Sequence, residues 1–247
     1  MQLPAILREP AVGLIGEKCY VSLIENLNIQ DVDCIKYSVS KGLGLGIVLG
    51  GSIVKVPQIL TILRNKSAEG LSLASFLLEA LSYSITLSYN MRQGNPFSTY
   101  GEIMFIYIQN IIITSLIFYF GRQPAKMVAA LIGLFSVFWA LNNAALVPAV
   151  AMSSLFAATI PLNLASKIPQ IYSNFKNKST GQLSVFTVVN YFVGSSIRVF
   201  TTMTEVDDPI MLFGGLLASS FNAILLLQVI LYWNNSGSKK KGHSKLD

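Results

Sequence analysis

Charge is what this sequence has least of. Charged side chains make up 12% of its 247 residues, about half the roughly 25% of a soluble domain. A water-soluble fold of this length could not cover its surface with 18 basic and 12 acidic groups. Histidine is nearly absent, with His243 the single example. That excludes by count a histidine metal site or a Ser-His-Asp triad in the body of the chain. Cysteine occurs twice, as Cys19 and Cys34, and spacing alone does not decide whether they pair. No secretory leader is expected, because the stretch from Ala11 to Gly16 is too short for a signal-peptide core. The N-terminus is therefore expected to be retained.

What the chain has in abundance is apolar blocks. Hydrophobic residues make up 52% and the mean hydropathy is +0.55. Seven segments, roughly Gly42–Leu63, Leu71–Asn90, Tyr100–Phe120, Lys126–Leu141, Val147–Phe175, Leu183–Thr204 and Pro209–Trp233, are each near the length that crosses a bilayer. Backbone groups at that depth must bond internally, and the short alternating pattern of a barrel is missing. The fold class is all-α, a polytopic membrane protein with seven transmembrane helices. The net charge of +6 sits largely in short loops and in a tail with Lys239, Lys240, Lys241 and Lys245, so it is not a nucleic-acid footprint.

An internal repeat is the most informative pattern. Lys55-Val56-Pro57-Gln58-Ile59 recurs as Lys167-Ile168-Pro169-Gln170-Ile171, displaced by 112 positions. The match runs without a gap through Asn65-Lys66-Ser67 and Leu71-Ser72, with nine of 18 aligned positions identical. Matching Lys, Pro, Gln, Asn and Ser in register is not what two unrelated apolar helices would give. Both motifs precede basic loops, so both first helices run the same way and the arrangement is 3+1+3 with parallel repeats. The expected organisation is an N-terminal segment 1–40, repeat 1 over 41–121, a linker helix 122–146, repeat 2 over 147–233 and a basic tail 234–247.

Orientation follows from the lysines and arginines of short loops. Arg64, Lys66, Arg122, Lys126, Lys176, Lys178 and the four tail lysines fall on one side. The other side has Arg92, with Glu205, Asp207 and Asp208 after the sixth segment. The basic side is expected in the cytosol and the N-terminus in the lumen. The sequons at Asn65, Asn177 and Asn234 then stay unmodified. An oxidising lumen would permit a Cys19–Cys34 disulfide, and two buried free thiols are the alternative.

The candidate chemistry sits on the motifs. Pro57 and Pro169 inside helices would each free a carbonyl, at Ile53 and Ala165, and kink the helix. Gln58 and Gln170 add amides at similar depth, giving a polar path or a packing feature. Lys55 and Lys167 either snorkel to the interface or meet a phosphate as point charges. Glu79 and Arg198, near mid-segment, are costly alone and are expected to face the interior, with mutual pairing one arrangement. The run Gly42-Leu43-Gly44-Leu45-Gly46 with Gly50 and Gly51 has the wrong spacing for a phosphate loop, and Gly46 with Gly50 reads as close helix packing. Gly214, Gly215, Ser219 and Ser220 suggest the same for the last helix. No catalytic residue, metal ligand or cofactor site is expected. Short lumenal loops and an isolated Asp207-Asp208 argue against a glycosyltransferase, and an acid beside Pro209 suits a helix N-terminus.

The duplicated Lys-x-Pro-Gln with Asn-Lys-Ser and Leu-Ser resembles the PQ-loop family of seven-helix membrane proteins. Glu17-Lys18-Cys19-Tyr20, Ser40 to Val48, Lys66 to Ser72, Gly181 to Ser184 and Phe221-Asn222 to Asn234 are similar to one branch of it. That resemblance implies an endoplasmic reticulum membrane protein required for use of dolichol-phosphate-mannose and dolichol-phosphate-glucose in N-glycan and GPI-anchor synthesis. It implies membrane lipid, dolichol-phosphate sugars and lumenal glycosyltransferases as partners, with no nucleic acid and no reaction of its own. Lys55, Lys167 and Arg198 would then attract the phosphate. A proton-coupled small-solute transporter of the PQ-loop type is the competing function, with Glu79 as the coupling acid.

Overall fold

The computed structural model of the protein describes residues 4–165, 167–180 and 184–232. The basic tail, with His243 and the Asn234 sequon, lies outside the described residues, as do Gly181, Gln182 and Leu183. Among the described residues the structure is helical, with no strand. Five helical stretches are long and apolar enough to cross a membrane: Val32–Asn65, Gly101–Phe120, Pro124–Asn142, Ala149–Asn177 and Pro209–Leu231. The second and sixth expected segments are helical but are not among these five, because serines, amides and charges dilute them.

The chain forms two compact units, Met1–Phe156 with Thr204–Val206, and Ala157–Met203 with Asp207–Asp247. The first begins with α1 (Ala5–Tyr20), which turns at Gly16, where φ is +77°. A disulfide joins Cys19 to Cys34, with the Cα atoms 5.1 Å apart. Around it pack Ile15, Tyr20, Val12 and Tyr37. Asp31 starts α2 (Val32–Ile53) by accepting from the Cys34 N–H at 3.1 Å. This helix begins ten residues before the expected first segment, because the cap and not the apolar block sets its start.

The break at Val54-Lys55 separates α2 from α3 (Val56–Asn65). Here the structure corrects the expectation of a proline inside a helix. Pro57 lies in the first turn of α3, where a missing N–H costs nothing. The helix is interrupted before the proline rather than bent around it. In the second unit Lys167 and Pro169 are the first and third residues of α8 (Lys167–Asn177), which follows α7 (Ala149–Ala165).

Then come α4 (Leu73–Gln93), α5 (Gly101–Phe120), α6 (Pro124–Asn142), α9 (Val185–Glu205) and α10 (Pro209–Leu231). The offset of 112 survives in the backbone: α4 shifted by it coincides with α9. Lys66 and Lys178, the matched residues ending α3 and α8, both take the left-handed conformation, at φ 49° and 46°. Ser72 and Ser184 both cap the next helix, accepting from the Ser75 and Thr187 N–H groups.

In the first unit α5 packs against α2, α4 and α6. Ala80, Leu87, Tyr107 and Leu134 form its core, with Phe138 beside them. Close approach is made by Gly44 and Gly51. A Cβ at Gly44 would lie 2.7 Å from the Ser98 carbonyl oxygen, and one at Gly51 would lie 2.5 Å from Glu102 Cβ. Gly46 and Gly50 meet nothing, so the expected packing pair is wrong and the real one is spaced by seven residues. In the second unit Gly214 serves α10 similarly, its Cβ direction meeting Ile160 Cδ1 at 2.9 Å. Asp208 caps α10 through the Ile210 and Met211 N–H groups.

Candidate functional site

The break before Pro57 leaves the Lys55 N–H and the Gly51 carbonyl without the bond that a continuous helix would make between them. Gln109, from α5, replaces it. Its Oε1 accepts from the Lys55 N–H at 2.8 Å, and its Nε2 donates to the Gly51 carbonyl at 2.8 Å. The amide is 6% exposed, so both backbone groups are satisfied without water.

That insertion fixes where Lys55 points. Its ammonium donates to Glu79 Oε2 at 2.5 Å and to Asn110 Oδ1 at 2.9 Å. The Phe76 and Tyr83 rings lie 5.1 and 5.8 Å from the nitrogen. Asn110 is oriented by its own Nδ2, which donates to the Phe76 carbonyl at 2.7 Å, while the Tyr83 hydroxyl donates to Glu79 Oε1 at 3.1 Å. Glu79 thus has Lys55 as its counter-ion within the first repeat.

The second repeat keeps the lysine–asparagine pair but not its surroundings, with Tyr191, Ser195 and Phe221 standing where the first repeat has Glu79, Tyr83 and Gln109. Lys167 Nζ donates to Asn222 Oδ1 at 2.6 Å, and Asn222 stands 112 positions after Asn110. The Asn222 amide donates to the Tyr191 carbonyl at 3.0 Å and to Ser195 Oγ at 2.9 Å. At the position matching Glu79 the sequence has Tyr191. Lys167 is half-buried, and no carboxylate among the described residues lies within ion-pair distance of it. The two repeats therefore present one neutralised and one uncompensated ammonium. About two turns further on, Asn174 Nδ2 donates to Gln228 Oε1 at 3.0 Å, where the first repeat has the apolar Ile62 and Leu116.

Gln58 and Gln170 are half-buried, and Pro57 and Pro169 are exposed. Arg198 is half-buried on α9, in the other unit from Glu79. Gln109, Asn110 and Asn222 were missed by motif reading. A signal existed: Gln109 and Asn110 are adjacent amides in a twenty-residue apolar helix, and Asn222 repeats the second at the motif's own offset.

A second buried cluster occupies the first unit. Lys41 Nζ lies 2.7 Å from Glu205 Oε2, and the Glu205 carboxyl is fully enclosed. Ser98 Oγ donates to the same oxygen at 2.6 Å and accepts from Lys41 at 3.0 Å, while Ser40 Oγ donates to Glu205 Oε1 at 2.5 Å. Every charge and hydroxyl here has a partner, which marks it as a structural lock joining α2, the segment after α4 and the end of α9.

The PQ loop repeat family model matches residues 39–99 and 151–211. The human protein named Solute carrier family 66 member 3 is 28% identical over 182 residues, which is 72% of this chain and 87% of that one. A cystinosin homolog of Dictyostelium discoideum is 23% identical over 229 residues, covering 77% of this chain and 79% of its own. No solved structure matches.

Proposed function

We propose that this multi-pass membrane protein, built on two PQ-loop repeats, acts without catalysing a reaction to make dolichol-phosphate sugars usable by glycosyltransferases of the endoplasmic reticulum. In this reading the helical segments make seven spans in a 3+1+3 arrangement, with the N-terminus in the lumen and the C-terminus in the cytosol. The lipids served are dolichol-phosphate-mannose and dolichol-phosphate-glucose, which supply sugars to lipid-linked oligosaccharides and GPI anchors. The Ser40–Val48, Lys66–Ser72 and Phe221–Asn234 stretches support it by their likeness to mannose-P-dolichol utilization defect proteins.

One structural observation carries the reading: Lys167 is held by a neutral amide while its counterpart Lys55 is neutralised by Glu79. An ammonium at membrane depth is costly without an anion. A phosphate-bearing lipid supplies that anion, and the matched repeats supply a scaffold that binds without chemistry.

A second reading is favoured by the relatives, one named as a solute carrier and the other as a cystinosin homolog. There Glu79, bonded to Lys55 and Tyr83, is the group whose protonation would couple to a small solute. The separating experiment is loss of the protein from its native cells, with lipid-linked oligosaccharides profiled and the dolichol-phosphate-mannose pool measured. Truncated oligosaccharides beside a normal donor pool support the lipid-sugar function. A normal profile, with Glu79→Gln abolishing proton-driven uptake into vesicles, replaces it with the carrier.

A further inference from the structure

We propose that the second repeat holds one polyprenyl phosphate, with its phosphate on Lys167 Nζ and its first isoprene units in the groove between α7 and α10. This site rests on the lipid-sugar function above and gives it a location. The groove has a volume of about 560 Å³, and every residue lining it is apolar. Ala157, Ile160 and Leu164 form one wall and Ile210, Phe213 and Leu217 the other. That volume is in the range of small-molecule sites, yet the groove offers nothing for a polar ligand to bond.

Gly214 of α10 meets Ile160 of α7, and further along Asn222 meets Lys167, so the two helical rods run the same way out of the groove. Leu164 is three residues before Lys167 and Leu217 five before Asn222. At 1.5 Å of rise per residue the last lining residues stand roughly 5–8 Å along the helices before Lys167 and Asn222. An apolar groove with a cation beyond one end matches a molecule with one long hydrocarbon chain and one anionic end. A diacyl lipid would leave one of its chains outside.

The head has donors to receive. An ammonium carries three, and Asn222 takes one, leaving two for phosphate oxygens. The Asn222 amide is committed to Tyr191 and Ser195, so its oxygen stays turned toward Lys167. In the first repeat the carboxylate of Glu79 occupies the place that the phosphate takes here. A single lipid per protein follows.

The test uses the full-length protein in lipid nanodiscs and a short polyprenyl phosphate carrying a diazirine on its second isoprene. Light should label peptides containing residues 157–164 and 209–217. Lys167→Met should reduce labelling about ten-fold, Lys167→Arg should retain most of it, and Lys176→Met, an exposed lysine of the same helix, should leave it unchanged. Ala157→Phe should block labelling by filling the groove, with the melting temperature checked for both Lys167→Met and Ala157→Phe. Excess unlabelled polyprenyl phosphate should compete, whereas the matching prenol, inorganic phosphate and phosphatidylglycerol should not. Full competition by inorganic phosphate would reassign Lys167 to a free anion and overturn the lipid site. Equal competition by phosphatidylglycerol, or labelling untouched by Lys167→Met, would overturn it as well. Absent labelling in cells' protein whose loss still truncates oligosaccharides removes this site and leaves the function standing. A labelled groove with normal oligosaccharides does the reverse.

Discussion

Replacing Gln109 with leucine tests the feature on which the first repeat depends. Leucine keeps most of the bulk but removes both bonds across the α2–α3 break, leaving the Lys55 N–H and the Gly51 carbonyl unpaired. Each buried backbone group left unsatisfied costs about 1–3 kcal/mol. The break cannot simply heal into a continuous helix, because Pro57 has no N–H and its ring would strike the Ile53 carbonyl. A loss of about 4 kcal/mol is expected, and at roughly 2–4 °C per kcal/mol the melting midpoint falls by about 10 °C. Purified protein in detergent, followed by far-UV circular dichroism at one heating rate, gives the comparison. Gln109→Glu keeps an acceptor for Lys55 but no donor for Gly51, so it should melt between the two. Ser115→Ala removes a hydroxyl bonded only to its own helix at the Ile111 carbonyl and should change little. A Gln109→Leu midpoint within about 2 °C of the unmodified protein would refute the bridging role.

Lys41→Met leaves the enclosed Glu205 carboxylate without a cation and should cost about 3–5 kcal/mol, whereas Lys41→Met with Glu205→Leu should recover most of it. A double-mutant cycle on melting midpoints reads the coupling. Cys19 and Cys34 are 15 residues apart, and a loop of that size stabilises by roughly 3 kcal/mol. Cys34→Ser should therefore lower amide protection around α1 and the start of α2 in hydrogen exchange, and the native protein should take up a thiol label only after reduction. Asp31 is held below the ordinary carboxylate range by the Ser22 hydroxyl, the Cys34 N–H and Lys18. Its depressed folded value means that its stabilisation is present above the unfolded value and lost as pH falls through the folded one. Protection at the α2 N-terminus should stay flat from pH 7 to 5 and decline only below about pH 4, with Asp31→Asn removing that dependence.

The helices and the repeat were legible because both are one-dimensional. Apolar length marks helical segments, and a fixed offset of identical residues survives any packing. The candidate site was legible only in part. Lys55, Lys167, Glu79 and the prolines stood out as charges and helix breakers in apolar surroundings. Gln109 did not, because the adjacent amides Gln109 and Asn110 mark a polar contact in an apolar helix without saying that one of them fills a break 54 residues away. The chemistry of Pro57 is legible in the sequence, but its place in the first turn of α3 is not. A kink and an interrupted helix have the same sequence, and what chooses between them is whether a neighbour can satisfy the freed groups.

The sequence by itself determined an all-helical membrane chain, two repeats in the same order, and the exchange of Glu79 for Tyr191 between them. Composition, length and alignment carry that information directly. Only the tertiary structure decided that Glu79 answers Lys55, that Asn110 and Asn222 are the matched partners, that Gly44 and Gly51 make the close contacts, and that Lys41 meets Glu205 from 164 positions away. Those outcomes depend on how each helix is rotated about its axis. Rotation is set by the summed packing of its neighbours, which no single segment encodes.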